Sequence, residues 1–263
     1  MDLQLTGKRA LICGGSSGLG RAVASALVAE GAHVALLSRS ACKLEAAAAE
    51  MNAAGPGRAV WVIADLADHD ALLNAVDAAE EELGGPIEIL LNNTGGPAPS
   101  GVQGLDPDLW RTQFEAMVLS VFRLTDRVLP AMKAAGWGRI LNVASTSVVE
   151  PIANLGVSTA LRSSVAGWAK TLAVEVAGDG VTVNTLLPGR IDTPRIAQID
   201  AANAARSGVA PQEARAASER TIPVGRIGRP EEFGVVAAFL ASPRASYVTG
   251  SLVRIDGGAV RAI

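Results

Sequence analysis

Tyrosine is nearly missing from this chain of 263 residues: Tyr247 stands alone, and aromatics together make up 3%. Nucleic-acid binders carry an excess of positive charge, often interleaved with aromatic stacking residues. Here 23 Lys and Arg face 26 Asp and Glu, the net charge is −3, and no basic stripe forms, so nucleic acid is not an expected partner. Cysteine and histidine are equally scarce. Two thiols, Cys13 and Cys42, and two imidazoles, His33 and His69, fall short of a metal-ligand set or a disulfide framework, and they fit a reducing compartment. No metal site is expected. No uninterrupted apolar run reaches the ~18 residues that span a bilayer. Met1-Asp2-Leu3-Gln4-Leu5 also lacks the basic-then-apolar order of a secretory signal. The expectation is a soluble, cytoplasmic protein with no membrane partner.

What the chain has is apolar content, 49% of it, distributed in a repeating rhythm. Short β-branched runs alternate with longer Ala-rich segments at helical spacing. The runs are Arg9–Cys13, His33–Leu37, Ala59–Ala64, Ile87–Leu91, Ile140–Val143, Val181–Leu187 and Leu252–Ile255. Helices are predicted over Gly18–Glu30, from the second run to about Met51, and over Asp70–Leu83, Pro107–Met132 and Leu155–Val176. Strands apolar along their whole length, separated by helices, call for a parallel sheet covered on both faces. The class is α/β, doubly wound, in one domain. The stretch from about Thr193 to Pro223 breaks the rhythm and reads as a helical lid over one end of the sheet.

Between the first run and its helix lies Cys13-Gly14-Gly15-Ser16-Ser17-Gly18-Leu19-Gly20. Glycines there let the backbone turn sharply and approach a diphosphate, with the helix N-terminus offering free N–H groups. A Gly-rich turn without a ligand would carry the same residues. The spacing of Gly14, Gly18 and Gly20 nevertheless resembles the TGxxxGxG motif of the short-chain dehydrogenase/reductase family, with Cys13 where that family has Thr. Four further segments resemble the family in order: Asp65-Leu66, Asn92-Asn93-Thr94-Gly95, Pro188-Gly189-Arg190-Ile191-Asp192-Thr193-Pro194 and Asp256-Gly257-Gly258.

That resemblance implies a Rossmann fold, a nicotinamide cofactor, a small-molecule substrate and a homo-oligomer, dimer or tetramer. Leu119, Val121, Val165 and Leu172 on the two long helices would support burial on more than one face. Cofactor-binding residues implied are Gly14, Ser16, Ser17, Gly18, Leu19, Gly20, Ser38, Arg39, Asp65, Leu66, Asn92, Gly95, Arg162, Pro188, Gly189, Ile191 and Thr193. After the second strand, NAD-preferring members place a carboxylate on the ribose 2′-hydroxyl. Ser38 and Arg39 stand there instead, and a guanidinium fork suits a 2′-phosphate. NADP(H) is therefore favoured over NAD(H), although Ser17 stands where many NADP-dependent relatives carry a second basic residue.

The family's carbonyl chemistry uses a Tyr as acid, a Lys four residues later, a Ser and an Asn. By the same resemblance these positions hold Ser158, Arg162, Ser145 and Met117. An aliphatic hydroxyl cannot be tuned to neutral acidity as a phenol can, and Arg keeps its proton. The expected catalytic set is thus Ser145, Ser158 and Arg162. Three readings stay open: hydride transfer to a conjugated enone or enoate, a non-catalytic NADP(H)-binding pseudo-enzyme, and a carbonyl (3-oxoacyl) reductase with a substitute acid such as Glu150. Arg190, Asp192 and Arg195 at the lid hinge read either as recognition of an acidic substrate or as lid-to-body ion pairs.

Overall fold

The computed structural model of the chain describes residues 1–262. Seven strands form one sheet: β1 (Arg9–Cys13), β2 (His33–Ser38), β3 (Arg58–Ile63), β4 (Ile89–Asn92), β5 (Gly138–Val143), β6 (Val181–Pro188) and β7 (Leu252–Ile255). The strand order is β3-β2-β1-β4-β5-β6-β7, and every pairing is parallel. Helices cover both faces: α1 (Gly18–Ala29), α2 (Ala41–Ala54), α3 (His69–Leu83), α4 (Pro107–Phe114), α5 (Ser120–Ala134), α6 (Gly156–Val176), α7 (Pro194–Ser207), α8 (Pro211–Glu219) and α9 (Pro230–Ala241). This is the doubly wound Rossmann-type arrangement.

Alternation along each strand separates two cores. Ala10, Ile12, Val34, Leu36, Leu91 and Leu186 point to the face covered by α1, α2 and α9. Leu11, Cys13, Ala35, Leu37, Leu90 and Val183 point to the face covered by α3, α5 and α6. Burial pushes the Cys13 thiol up to about 12, which makes it a packing group with no nucleophilic character.

The departures from the expected boundaries have local causes. The fourth strand starts at Ile89, because the Ile87 N–H donates to Glu80 Oε1 at 3.2 Å and the pairing with β1 begins at Ala10↔Ile89. The long helix expected over Pro107–Met132 is broken by a π-helical turn, Glu115–Leu119, between α4 and α5. Helix α9 was not foreseen. Its mixture of Pro, Glu and bulky apolar residues carries a weak periodic signal, and a bond from the Arg229 N–H to Glu232 Oε2 at 2.7 Å helps to start it.

Of the four side chains taken as support for an external face, Val121, Val165 and Leu172 are buried within the chain itself, and Leu119 is half-buried. Val121 and Val165 fill a small third core with Met117 and Leu161. The stretch expected to form a lid folds as α7 and α8. Thr193 caps α7, accepting from the Ile196 N–H at 3.4 Å, and Pro194 opens the helix. Arg215 holds both oxygens of Asp192 at 3.1 Å, and Arg190 pairs with the buried Asp200.

Helix α1, which begins at the glycine turn, is held from behind by α9. At their crossing a Cβ on Gly234 would sit 2.5 Å from the Ala22 carbonyl oxygen. Gly234→Ala is therefore expected to overpack this contact and lower unfolding stability by about 1–3 kcal/mol, measured by denaturant titration. An unchanged midpoint would mean that the two helices are free to separate.

Candidate active site

The C-terminal ends of β1 to β6 open into one cleft of about 670 Å³. It lies where the chain order reverses, with β2 and β3 to one side of β1 and β4, β5 and β6 to the other. At such a point neighbouring loops turn away from each other and leave a crevice.

The floor is the turn after β1. Gly14, at φ +65°, donates its N–H to the Leu37 carbonyl at 2.8 Å. Gly18 has φ +57°, a left-handed conformation that favours glycine. Ser17 precedes α1 without capping it by its side chain, so N–H groups of the first turn stay available. Ser16, Ser17, Gly18 and Leu19 line the cleft. Gly20 does not, contrary to expectation. It is buried, and a Cβ there would come within 2.4 Å of the Gly14 carbonyl oxygen, so its part is to let α1 pack on the turn.

Asn92 also departs from its expected place. Its side chain is buried in the sheet, donating to Thr125 Oγ1 at 3.1 Å and Asn142 Oδ1 at 2.9 Å, and it does not line the cleft. The next residue does. Asn93 donates to the Cys13 carbonyl at 3.1 Å, tying the end of β4 to the end of β1, while Thr94 and Gly95 follow along the wall. In a buried parallel strand the sequence pattern does not distinguish two consecutive Asn residues. The bond to Cys13 is what separates them.

At one end of the cleft Ser38, Arg39, Asp65 and Leu66 come together as expected. Arg39 is exposed and lies 3.7 Å from Asp65 Oδ2, a weak ion pair that leaves most of its guanidinium free. Lys43, from the first turn of α2, lines the same end. It was missed, although its place four residues after Arg39 on the helix that follows was the available signal.

At the other end stand Ser145, Ser158 and Arg162. Arg162 donates from Nη1 to the Val143 carbonyl at 2.8 Å, from Nη2 to the Gly95 carbonyl at 3.0 Å and from Nε to Ser158 Oγ at 3.2 Å. It thus clamps β5, the loop after β4 and α6 together. Burial, and then the charge of Arg195, push the Arg162 guanidinium down to about 10, which leaves it a cation at neutral pH. Ser145 Oγ accepts from the Ser147 N–H at 3.1 Å. The π-helical turn brings Ala116 and Met117 to the wall opposite. Pro188, Gly189, Ile191 and Thr193 line the third side. A Cβ on Gly189 would meet Asp256 at 2.7 Å, so the Asp256-Gly257-Gly258 segment acts as backing for that loop.

Other candidates fall away from the cleft. Glu150 is exposed, accepts from the Arg261 N–H at 3.2 Å, and is not in the lining. Tyr247 is fully exposed and also outside it. His69 lies 2.6 Å from Glu115 Oε2, behind the wall. Among the described residues, Asp65 is the one acidic residue that borders the cleft. The arrangement can hold an elongated ligand, with phosphate at the α1 N-terminus, a further anion by Arg39, and a planar group near Ser145 and Arg162.

Comparison with known proteins agrees with this geometry. Residues 14–260 match the family model described as "Enoyl-(Acyl carrier protein) reductase". The chain is 34% identical over 256 residues to the D-beta-hydroxybutyrate dehydrogenase of Cupriavidus necator, covering 97% of this chain and 98% of that one. It is 34% identical over 258 residues to the 3-oxoacyl-[acyl-carrier-protein] reductase FabG of Vibrio cholerae, covering 97% and 98%. The L-sorbose reductase of Gluconobacter frateurii, solved with NADPH and L-sorbose, superposes with a TM-score of 0.93 at 30% identity over the full length of both chains. With its sheet order, its glycine turn and these matches along nearly all its length, the chain belongs to the short-chain dehydrogenase/reductase family.

Proposed function

We propose that this protein is an NADP(H)-dependent reductase that acts on conjugated enones or enoates, without the Tyr acid and the Lys that serve carbonyl reduction in its family. The observation that carries the reading is the chemistry of the substrate end of the cleft. Ser145, Ser158, Arg162, Arg195 and, on the wall opposite, Gln113 are among its polar side chains, and among the described residues no phenol, imidazole, carboxyl or ammonium lines this end. Ser158 and Arg162 occupy the positions that correspond to the family Tyr and Lys, and neither releases a proton readily near neutral pH.

Bound NADPH supplies a hydride to an electron-poor carbon. When that carbon is β to a carbonyl, the negative charge spreads over an enolate. The Ser145 hydroxyl can donate to the enolate oxygen, and Arg162, a fixed cation behind Ser158, stabilises the same charge. The proton then goes to the α carbon from water, so no side chain needs to deliver it. Reduction of a simple ketone concentrates charge on one oxygen and requires a donor there as the hydride arrives. Glu150, the substitute acid considered from the sequence, points away from this chemistry.

The preference for NADPH is supported by Arg39 and Lys43, two cations at the end where a ribose 2′-phosphate would lie, and by the NADPH held by the related L-sorbose reductase. Asp65 repels such a phosphate but is partly compensated by Arg39. A cytosolic setting accords with two free cysteines, one of them buried, and with the absence, among the described residues, of any helix able to cross a membrane. We further propose a homo-oligomer. The support is an exposed apolar set on α9 and around β7, namely Val235, Phe239, Tyr247 and Leu252, in place of the side chains that turned out to be internal.

Three outcomes test these readings. NADPH should bind at least about tenfold more tightly than NADH, as expected for charged hydrogen bonds to a phosphate, and Arg39→Asp should shrink or reverse the gap in a fluorescence titration. Equal affinities would sink the NADP(H) assignment. Activated enones should be reduced faster than matching saturated ketones, with deuterium from labelled NADPH at the β carbon. Combining Ser158→Tyr, Arg162→Lys and Met117→Asn should raise ketone reduction by about 10²–10⁴-fold and alkene reduction far less. Label at a carbinol carbon with the unmodified protein would overturn the enone reading, and tight NADPH binding with no turnover on either class would favour the pseudo-enzyme. Sedimentation at micromolar concentration should show a dimer or tetramer, and a monomer would refute the oligomer.

A further inference from the structure

The cleft is charged unevenly. The carboxylate of Asp65 belongs to the Arg39 end, whereas Arg162 and Arg195 converge at the substrate end with no carboxylate on its lining. They meet at Gly96, on the loop after β4. A Cβ placed there would lie 3.4 Å from Arg195 Nη2 and 3.6 Å from Arg162 Nη2, so the two guanidinium groups come together beside one glycine. Their protein partners are all neutral. Arg162 donates to Val143, Gly95 and Ser158, and Arg195 donates from Nη2 to the Pro97 carbonyl at 2.6 Å.

Two other arginines at the lid differ. Arg190 has Asp200 and Arg215 has Asp192. Among the described residues Arg195 has no such partner, although it stands in the first turn of α7, and it lines the cleft. Burial lowers the pKa of both Arg162 and Arg195, and the charge of Arg195 lowers that of Arg162 further. The fold thus holds two partly desolvated like charges together, an arrangement that an anion between them relieves. A planar fork of N–H donors matches a carboxylate in shape as well as charge.

We infer that the substrate carries a carboxylate, which is held between Arg195 of the lid and Arg162 of the cleft wall. The inference deepens the reductase reading and rests on it only in calling the bound acid a substrate. A cofactor diphosphate is the other anion that could reach this cleft. The glycine turn, with the free N–H groups of the α1 N-terminus, is the better match for a diphosphate, and because a Cβ on Gly18 would lie 3.5 Å from Thr193 Cγ2, at the start of α7, the test below separates the two anions.

The test uses the protein saturated with NADP⁺, which blocks turnover, and compares acetate, crotonate and cinnamate with their amides by thermal shift and calorimetry. At least one acid is expected to bind about tenfold or more tightly than its amide, the discrimination of a charged hydrogen-bonded contact. Arg195→Gln should remove that preference while the NADPH dissociation constant, titrated separately, stays within about twofold. Acids and amides binding alike, or no acid binding at ~10 mM, would overturn the inference. So would an acid preference that survives Arg195→Gln. A tenfold loss of NADPH affinity in Arg195→Gln with the acid preference intact would assign the guanidinium to the cofactor diphosphate. Acid preference without alkene reduction would remove the reductase reading alone and leave the carboxylate site standing.

Discussion

Burial of the sheet on both faces constrains everything else in this molecule. Strands such as β4 and β6 are buried along their whole length, so their backbone groups are spent on the ladder and their side chains on packing. Polar chemistry has room only at the strand ends, and the parallel direction gathers all seven C-terminal ends on one edge. The reversal of order at β1 and β4 then opens a crevice there. Asn93 fixes its width by bonding across to Cys13, and Gly14 must remain glycine beneath it, because a Cβ would meet Asn93 Nδ2 at 2.7 Å. The turn that faces a ligand and the wall that follows β4 are therefore one unit.

The sequence makes legible whatever depends on local pattern. Strand positions come from unbroken apolar runs, and the glycine turn from the spacing of Gly14, Gly18 and Gly20. The chemistry of positions 145, 158 and 162 follows from residue type. What stays hidden depends on direction. Asn92 and Asn93 are the same residue type in succession, yet one satisfies Thr125 and Asn142 inside the sheet and the other faces the cleft. Gly20 reads as a ligand contact by motif, whereas it packs so closely that a Cβ on it would meet the Gly14 carbonyl. Val121 and Val165 read as an external stripe because a helix packed on two sides within one chain has the same periodicity as one packed on a second copy. Lys43 escaped notice because a lone Lys in an Ala-rich helix looks like any solvated residue.

The lid illustrates how charge sorts itself once geometry is known. Arg190, Asp192 and Arg195 are close in sequence and gave two readings together. Packing divides them: Arg190 is neutralised by Asp200 and Asp192 by Arg215, so those two are tethers. Arg195 alone turns into the cleft toward Arg162. A sequence carries no record of which acid will reach which base across a helical turn, and that pairing is what separates structural arginines from available ones.

On the proposed reading, the same two arginines explain why a cleft without a proton donor need not be a dead one. A cation that keeps its proton cannot protonate an alkoxide, but its field acts over the few ångströms through which an enolate spreads its charge. Replacing a phenol and an ammonium by Ser158 and Arg162 thus exchanges a group that moves a proton for one that holds a charge. The exchange favours acceptors whose negative charge is delocalised, and it also explains the clamp on Val143 and Gly95. A guanidinium that must stabilise charge without relaxing toward it has to be held rigidly, and three neutral acceptors around Arg162 do so without cancelling its charge.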